Sequence, residues 1–192
     1  LPFIGERTRP EYLYYLSQVD KVVPTGDYPT HEIIRHYNFL SAISGREIKP
    51  EAPHISWRDT LPLKDLIPPG VSYAVLNPGS NEYGRRWPLA KYQKLAASLV
   101  ERGLHVVFVG GGGERPGVID TGDGRIIDLI GKTNLQQLLD LMNHAQLVVS
   151  NDTGPAHLSI ALGTPTLVVV GGGHFGCFVP YPENVRPDHA RF

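Results

Sequence analysis

From Val71 onward the chain alternates short β-branched runs with amphipathic stretches, and few architectures accept that alternation. Strands buried on both faces read as near-continuous apolar runs, and the helix between two of them carries the chain back to start the next parallel strand. Tyr73 to Asn77 reads as a strand. Pro88 to Arg102 reads as a helix with Leu89, Tyr92, Leu95, Ala96 and Leu99 on one face and Gly103 as its stop. Leu104 to Val109 is a second strand and Arg125 to Leu129 a short third. Asn134 caps a helix running to about His144, with Leu135, Leu138, Leu139 and Met142 as its apolar face. Leu147 to Ser150 is a fourth strand, Pro155 to Leu162 a short helix with proline in its first turn, and Thr166 to Val170 a fifth strand. The pattern predicts an α/β domain: a Rossmann-like parallel sheet with helices on both faces.

The first part of the chain has a different texture. Tyr12, Tyr14 and Tyr15 are scattered aromatics, a helix is expected from His31 to Ile43, and prolines then recur at positions 50, 53, 62, 68 and 69. The expected boundary lies near Pro69-Gly70, with residues 1–70 as a tail and linker and residues 71–192 as the α/β domain.

Charge and cysteine usage exclude several classes. Lys and Arg number 18 against 19 Asp and Glu, which lacks the basic excess of a protein gripping nucleic acid. Cys177 is the only cysteine, which rules out an intramolecular disulfide or a multi-cysteine zinc site and suits a reducing, cytoplasmic compartment. No apolar run approaches the roughly 20 residues of a membrane-spanning helix. The eight histidines form no recognisable metal pattern. The start at Leu1-Pro2 does not look like a signal peptide and reads as a partial chain.

Sheets of this type bind ligands beyond the carboxyl ends of their strands, so four loops are of interest: Pro78 to Arg86, Gly110 to Glu114, Asn151 to His157 and Gly171 to Gly176. In Asn151-Asp152-Thr153-Gly154-Pro155-Ala156-His157 a strand ends in a polar turn and a helix opens, presenting backbone N–H groups and a positive dipole end that suit a phosphate or sugar hydroxyl. The ordinary alternative is an N-cap by Asp152 or Thr153, with His157 filling space. An aspartic-protease Asp-Thr-Gly would need an all-β fold and paired aspartates. Asn77-Pro78-Gly79-Ser80 ends the first strand, and Arg85-Arg86-Trp87-Pro88 leads into the next helix, so an arginine stands where a loop can fold over a diphosphate. Two solvated arginines and a packed Trp87 are the plainer reading of that segment alone. Glu114, after Gly110 to Gly113, can take a ribose diol or be a solvated loop charge.

Two lookalikes are set aside. Gly131-Lys132-Thr133 resembles the end of a phosphate loop, but Ile126 stands where its first glycine belongs, so an ordinary turn is expected. Gly171-Gly172-Gly173-His174-Phe175-Gly176 has dinucleotide glycine spacing, yet Pro180 and Pro182 leave no room for the following helix. It reads instead as a glycine loop under the ligand's phosphates.

Taken in order, the Asn-Pro-Gly-Ser loop, Arg86-Trp87-Pro88, the Gly-Gly then Glu114 loop, Gly131-Lys132-Thr133-Asn134-Leu135 and Asn151 to His157 resemble glycosyltransferase family 9, the ADP-heptose lipopolysaccharide heptosyltransferases. The resemblance runs from about Val75 to Pro180. It implies the C-terminal half of a GT-B fold, holding a nucleotide diphosphate sugar of ADP type as substrate with no cofactor or metal. Ser80, Asn81 and Arg85 then fall at the phosphates, Glu114 at the nucleoside, and Asp152, Thr153, Gly154 and His157 at the diphosphate and sugar. The position aligned with Arg85 is commonly lysine in that family, and Gly171 to Phe175 is not its usual loop.

The resemblance further implies inverting transfer of a heptose-like sugar to a lipopolysaccharide or related glycan acceptor. The acceptor site and catalytic base are expected from an N-terminal domain largely absent here, so that this chain alone is inactive and residues 71–192 are C-terminally incomplete. The full-length protein is expected in the cytoplasm, at the inner face of the membrane, as a peripheral protein. Rival readings are a nucleotide-binding module without transferase activity, such as a sensor or a sugar-nucleotide epimerase half, and a redox enzyme using the glycine loop.

Overall fold

The structure, a computed structural model, describes residues 3–5, 21–24, 26–56, 63–81 and 83–187. Tyr12, Tyr14, Tyr15 and Pro62 lie outside the described residues. The chain divides into two compact units, one of residues 1–52 with 174–186 and one of residues 53–173 with 187–192. The change in sequence texture near Pro69-Gly70 lies inside the second unit, because Ile67 and the short 3-10 turn Leu63–Asp65 pack with its core.

In the first unit, strands β1 (Phe3–Gly5) and β2 (Lys21–Val23) pair in parallel. Helix α1 (Glu32–Ser44) matches the expected helix. Its N-cap is His31, whose Nδ1 accepts from the Ile33 N–H at 3.3 Å, so Nε2 carries the proton and donates to the Phe178 carbonyl at 2.7 Å. Gly45 ends the helix at φ +70, a left-handed cap that glycine adopts without steric cost.

The second unit holds a five-stranded parallel sheet of β3 (Tyr73–Asn77), β4 (His105–Phe108), β5 (Ile126–Asp128), β6 (Leu147–Asn151) and β7 (Thr166–Val169), in spatial order β5-β4-β3-β6-β7. Every residue of the central β3 is buried. Alternate side chains serve opposite faces. Ala74 and Leu76 join Tyr92, Ala96, Leu99 and Val100 of α2 (Leu89–Glu101), while Tyr73 and Val75 join Leu141 and Met142 of α3 (Leu135–Asn143). The Tyr73 hydroxyl donates to the Leu141 carbonyl at 2.9 Å, and burial pushes that phenol well above its usual range, so it remains a donor. Helix α4 (Gly154–Ala161) buries Ala156, Ser159 and Ile160. The α/β architecture with helices on both faces is therefore present as expected.

Helix α3 starts at a full capping box: Asn134 Oδ1 accepts from the Gln137 N–H at 2.8 Å and Gln137 Oε1 from the Asn134 N–H at 2.9 Å. Its buried stripe differs from the expected one. Leu138, Leu139 and Met142 are covered as expected, but Leu135 is 62% exposed and Leu141 is fully buried, because the face turned to the core centres on Leu138, Leu141 and Met142 and leaves the first helical position outside it.

Candidate functional site

The strand order creates the site. From β3 the chain steps outward to β4 and β5 on one side, then returns to place β6 and β7 on the other, so the connections after β3 and β6 diverge between two neighbouring strands. Parallel sheets bind ligands in the crevice that such divergence leaves. At that point lies a cavity of about 380 Å³ lined by Ser80, Asn81 and Arg85 after β3, Glu114 after β4, and Asp152, Thr153, Gly154 and Pro155 after β6. Seven of the eight donor-binding candidates line it. The eighth, His157, lies one turn into α4 with Nε2 3.4 Å from Asp152 Oδ1, its side chain 31% exposed against 8% for the carboxylate.

Two asparagines at the ends of the central strands shape this crevice, and neither received a role in the sequence reading. Asn151 and Asn77 are completely buried. Asn151 Oδ1 accepts from the Trp87 N–H at 3.0 Å and the Tyr92 hydroxyl at 3.1 Å, and its Nδ2 donates to the carbonyls of Pro78 at 2.9 Å and Gly79 at 3.3 Å. Burial pushes the Tyr92 phenol well up and outweighs the lowering effect of the Asn151 backbone, so the hydroxyl keeps its proton and remains a donor. Asn77 Nδ2 donates to Ser150 Oγ and to Thr153 Oγ1, both at 3.0 Å. The only signal for these roles was an amide closing each of two adjacent apolar strands.

Thr153 is the N-cap of α4, but its hydroxyl makes no capping bond, being engaged by Asn77 and the Asn151 carbonyl. The Thr153 hydroxyl is therefore not what caps this helix. The helix opens at the cavity through Gly154, which has no side chain, and Pro155 contributes no N–H. Arg86 differs from Arg85: its Nε donates to the Ser80 carbonyl at 2.7 Å and so closes the loop on itself, while Arg85 lines the cavity.

Close backbone approach brings Glu114 in. A Cβ on Gly79 would stand 3.2 Å from both Cβ and Oε2 of Glu114. On the far side Gly131, at φ +74, lies so near Gly112 that a Cβ would come within 2.9 Å of its Cα. Gly131-Lys132-Thr133 is an ordinary turn, with the Lys132 N–H donating to Leu129 O and Nζ to Asp128 O. Beside it, burial raises the Asp128 carboxyl, but bonds from Arg115 and the Ile130 N–H and the charges of Arg115 and Lys132 outweigh this and hold it below the usual carboxylate value.

The glycine loop after β7 departs from expectation. Gly171, Gly172 and Gly173 do not line the cavity, and Gly176, at φ +82, forms a tight turn in the first unit by donating to Val179 O at 2.7 Å. Three strand-end loops, not four, build the cavity. Among the described residues no group of three His, Cys, Asp or Glu side chains is placed to hold a metal ion, and no helix is long and apolar enough to cross a membrane.

Comparison with known proteins places this arrangement. Over 139 residues the chain is 27% identical to lipopolysaccharide heptosyltransferase 3 of Escherichia coli, covering 69% of this chain and 41% of that protein. The structure of E. coli ADP-heptose lps heptosyltransferase II superposes with a TM-score of 0.55 at 26% identity, covering 67% of this chain and 40% of that one. E. coli heptosyltransferase WaaC, solved with ADP, shares the fold with a TM-score of 0.60 at 19% identity over 90% of this chain and 52% of that one. The chain thus spans less than half the length of the curated relatives it matches, and its sheet and helices match about half of GT-B heptosyltransferase structures. The family profile described as glycosyltransferase family 9 (heptosyltransferase) matches residues 20–186, and the chain belongs to that family.

Proposed function

We propose that residues 71–192 are the donor-binding, C-terminal half of a GT-B glycosyltransferase that moves a heptose-like sugar from an ADP-type nucleotide sugar to a lipopolysaccharide or related glycan acceptor, with inversion. The observation that carries this reading is the cavity at the strand-order reversal, where Ser80, Asn81, Arg85, Glu114, Asp152, Thr153 and Gly154 meet. Arg85 and the Gly154 end of α4 suit a diphosphate, and Glu114 offers two acceptor oxygens to a ribose diol. Asp152, with His157 beside it, suits the sugar hydroxyls. A structure of the same fold was solved with ADP, which favours an adenine nucleotide.

The acceptor oxygen attacks the anomeric carbon as the bond from that carbon to the diphosphate breaks. A base takes the acceptor proton, and the nucleoside diphosphate departs with its charge stabilised by the Arg85 guanidinium and the α4 dipole. The base and the acceptor site belong to the N-terminal half, with residues 1–70 its tail and the linker. The full-length enzyme works at the cytoplasmic face of the inner membrane, where a glycolipid acceptor is reached.

Calorimetry of this chain with ADP, UDP and GDP tests the reading. ADP is expected to give the strongest heat. Absence of heat with all three at millimolar concentration overturns it.

A further inference from the structure

The loop from Pro78 to Trp87 carries three cavity residues, Ser80, Asn81 and Arg85, yet its described residues hold no regular structure beyond one 3-10 turn, Tyr83–Arg85. Loops of this kind are held by their feet. Here both feet are held by one side chain: Asn151 binds Pro78 and Gly79 through its amide nitrogen and Trp87 through its amide oxygen. Its fourth bond, from Tyr92, anchors the same amide to α2. Two N–H donors and two carbonyl lone pairs are the full capacity of an asparagine, and all four are used.

We propose that Asn151 is a positioning residue for phosphate recognition, clamping the β3–α2 loop from the neighbouring strand so that Ser80 and Arg85 meet the diphosphate while Asn151 itself touches no ligand. The inference rests on the donor-site reading above for its ligand. Its geometry is specific to an amide. Aspartate would set a carboxylate oxygen against the Pro78 and Gly79 carbonyls, and leucine would leave two carbonyls, an N–H and a hydroxyl without their partner inside the fold. Asn77 makes the reciprocal contact, from β3 to Thr153 after β6, so each central strand holds the loop that follows the other. The Asn151 contacts span both ends of one connection, which gives that amide control of the loop's closure.

The test uses this 192-residue chain with Asn151→Leu and, as a milder variant that removes one bond of the four, Tyr92→Phe. Hydrogen exchange without ligand is expected to show faster exchange over residues 79–87 in both, larger in Asn151→Leu, with α3 on the opposite sheet face unchanged. ADP affinity should fall about tenfold or more in Asn151→Leu and by a few-fold in Tyr92→Phe, on the scale of a weakened hydrogen bond to a charged group. Adenosine, which lacks phosphates, should bind within about twofold of the parent chain, a split that general loosening of the fold would not produce. If Asn151→Leu does not fold, Tyr92→Phe decides by the same two readouts. Unchanged exchange over 79–87, or parallel losses for ADP and adenosine, overturns the proposal. Failure of the unsubstituted chain to bind ADP overturns the donor-site reading instead, and the ligand-free exchange still decides whether Asn151 clamps the loop.

Discussion

His157 Nε2 lies 3.4 Å from Asp152 Oδ1, one turn into the helix whose N-terminus opens on the cavity. The carboxylate is nearly covered and the imidazole is not, so His157 is no space-filling core histidine. We expect His157→Ala to lower turnover of the full-length enzyme while costing no more than about 0.5 kcal/mol of stability, the scale of a surface change. Thermal melting and steady-state kinetics measured together check this. A large fall in melting temperature would mean that the side chain supports the fold.

Arg85 and Arg86 are neighbours in sequence with different tasks. Arg85→Ala should weaken ADP binding by about 1.5 to 3 kcal/mol, the range for a hydrogen bond to a charged group. Arg86→Ala removes the bond to Ser80 O and should weaken it less, acting through the loop. Titration of ADP into both variants decides. Equal losses would make the pair a diffuse surface charge.

Gly131→Ala adds a methyl group at φ +74 and drives it toward Gly112. A left-handed alanine costs about 1 to 2 kcal/mol, and the clash adds to it. Because Gly112 lies in the turn that carries Glu114, nucleoside affinity should fall along with stability. Chemical denaturation and adenosine binding measure the two effects, and full retention of both would mean that the approach of the two turns is relaxed in solution.

Asp123 receives bonds from the Arg125 guanidinium and N–H, which hold its carboxyl down at about 2. A carboxyl lower in the folded than in the unfolded chain contributes stability above the unfolded value, and that contribution is lost as pH falls. The window here runs from the usual carboxylate value down to about 2. Asp123→Asn should flatten the stability profile across it. Side-chain carboxyl shifts followed by NMR should titrate near the lower end, and titration at the ordinary value would show the pair to be open to solvent.

This chain is expected to bind donor without transferring sugar, since displacement needs the acceptor oxygen and its base within hydrogen-bond reach of the anomeric carbon. Transfer is expected to appear when the N-terminal domain of one of the longer relatives is supplied. Turnover by this chain at the full-length rate would place the base among the residues described above.

Local order in this protein was legible from residues close in sequence. Strand β3 and helices α2, α3 and α4 lie within a residue or so of their expected limits, because burial period, the stop at Gly103 and the cap at Asn134 are set by neighbours a few positions apart. The order β5-β4-β3-β6-β7 is not written in any such stretch. It follows from which apolar faces pack together across the chain, and it alone decides that the loops after β3, β4 and β6 meet while Gly171 to Gly173 stay out of the cavity. The exposure of Leu135 has the same origin, since a helix's buried stripe depends on where the sheet lies against it. The tasks of Asn77 and Asn151 were decided only by tertiary structure as well: an amide at a strand end looks like any turn residue until the fold brings it partners 59 to 76 positions away.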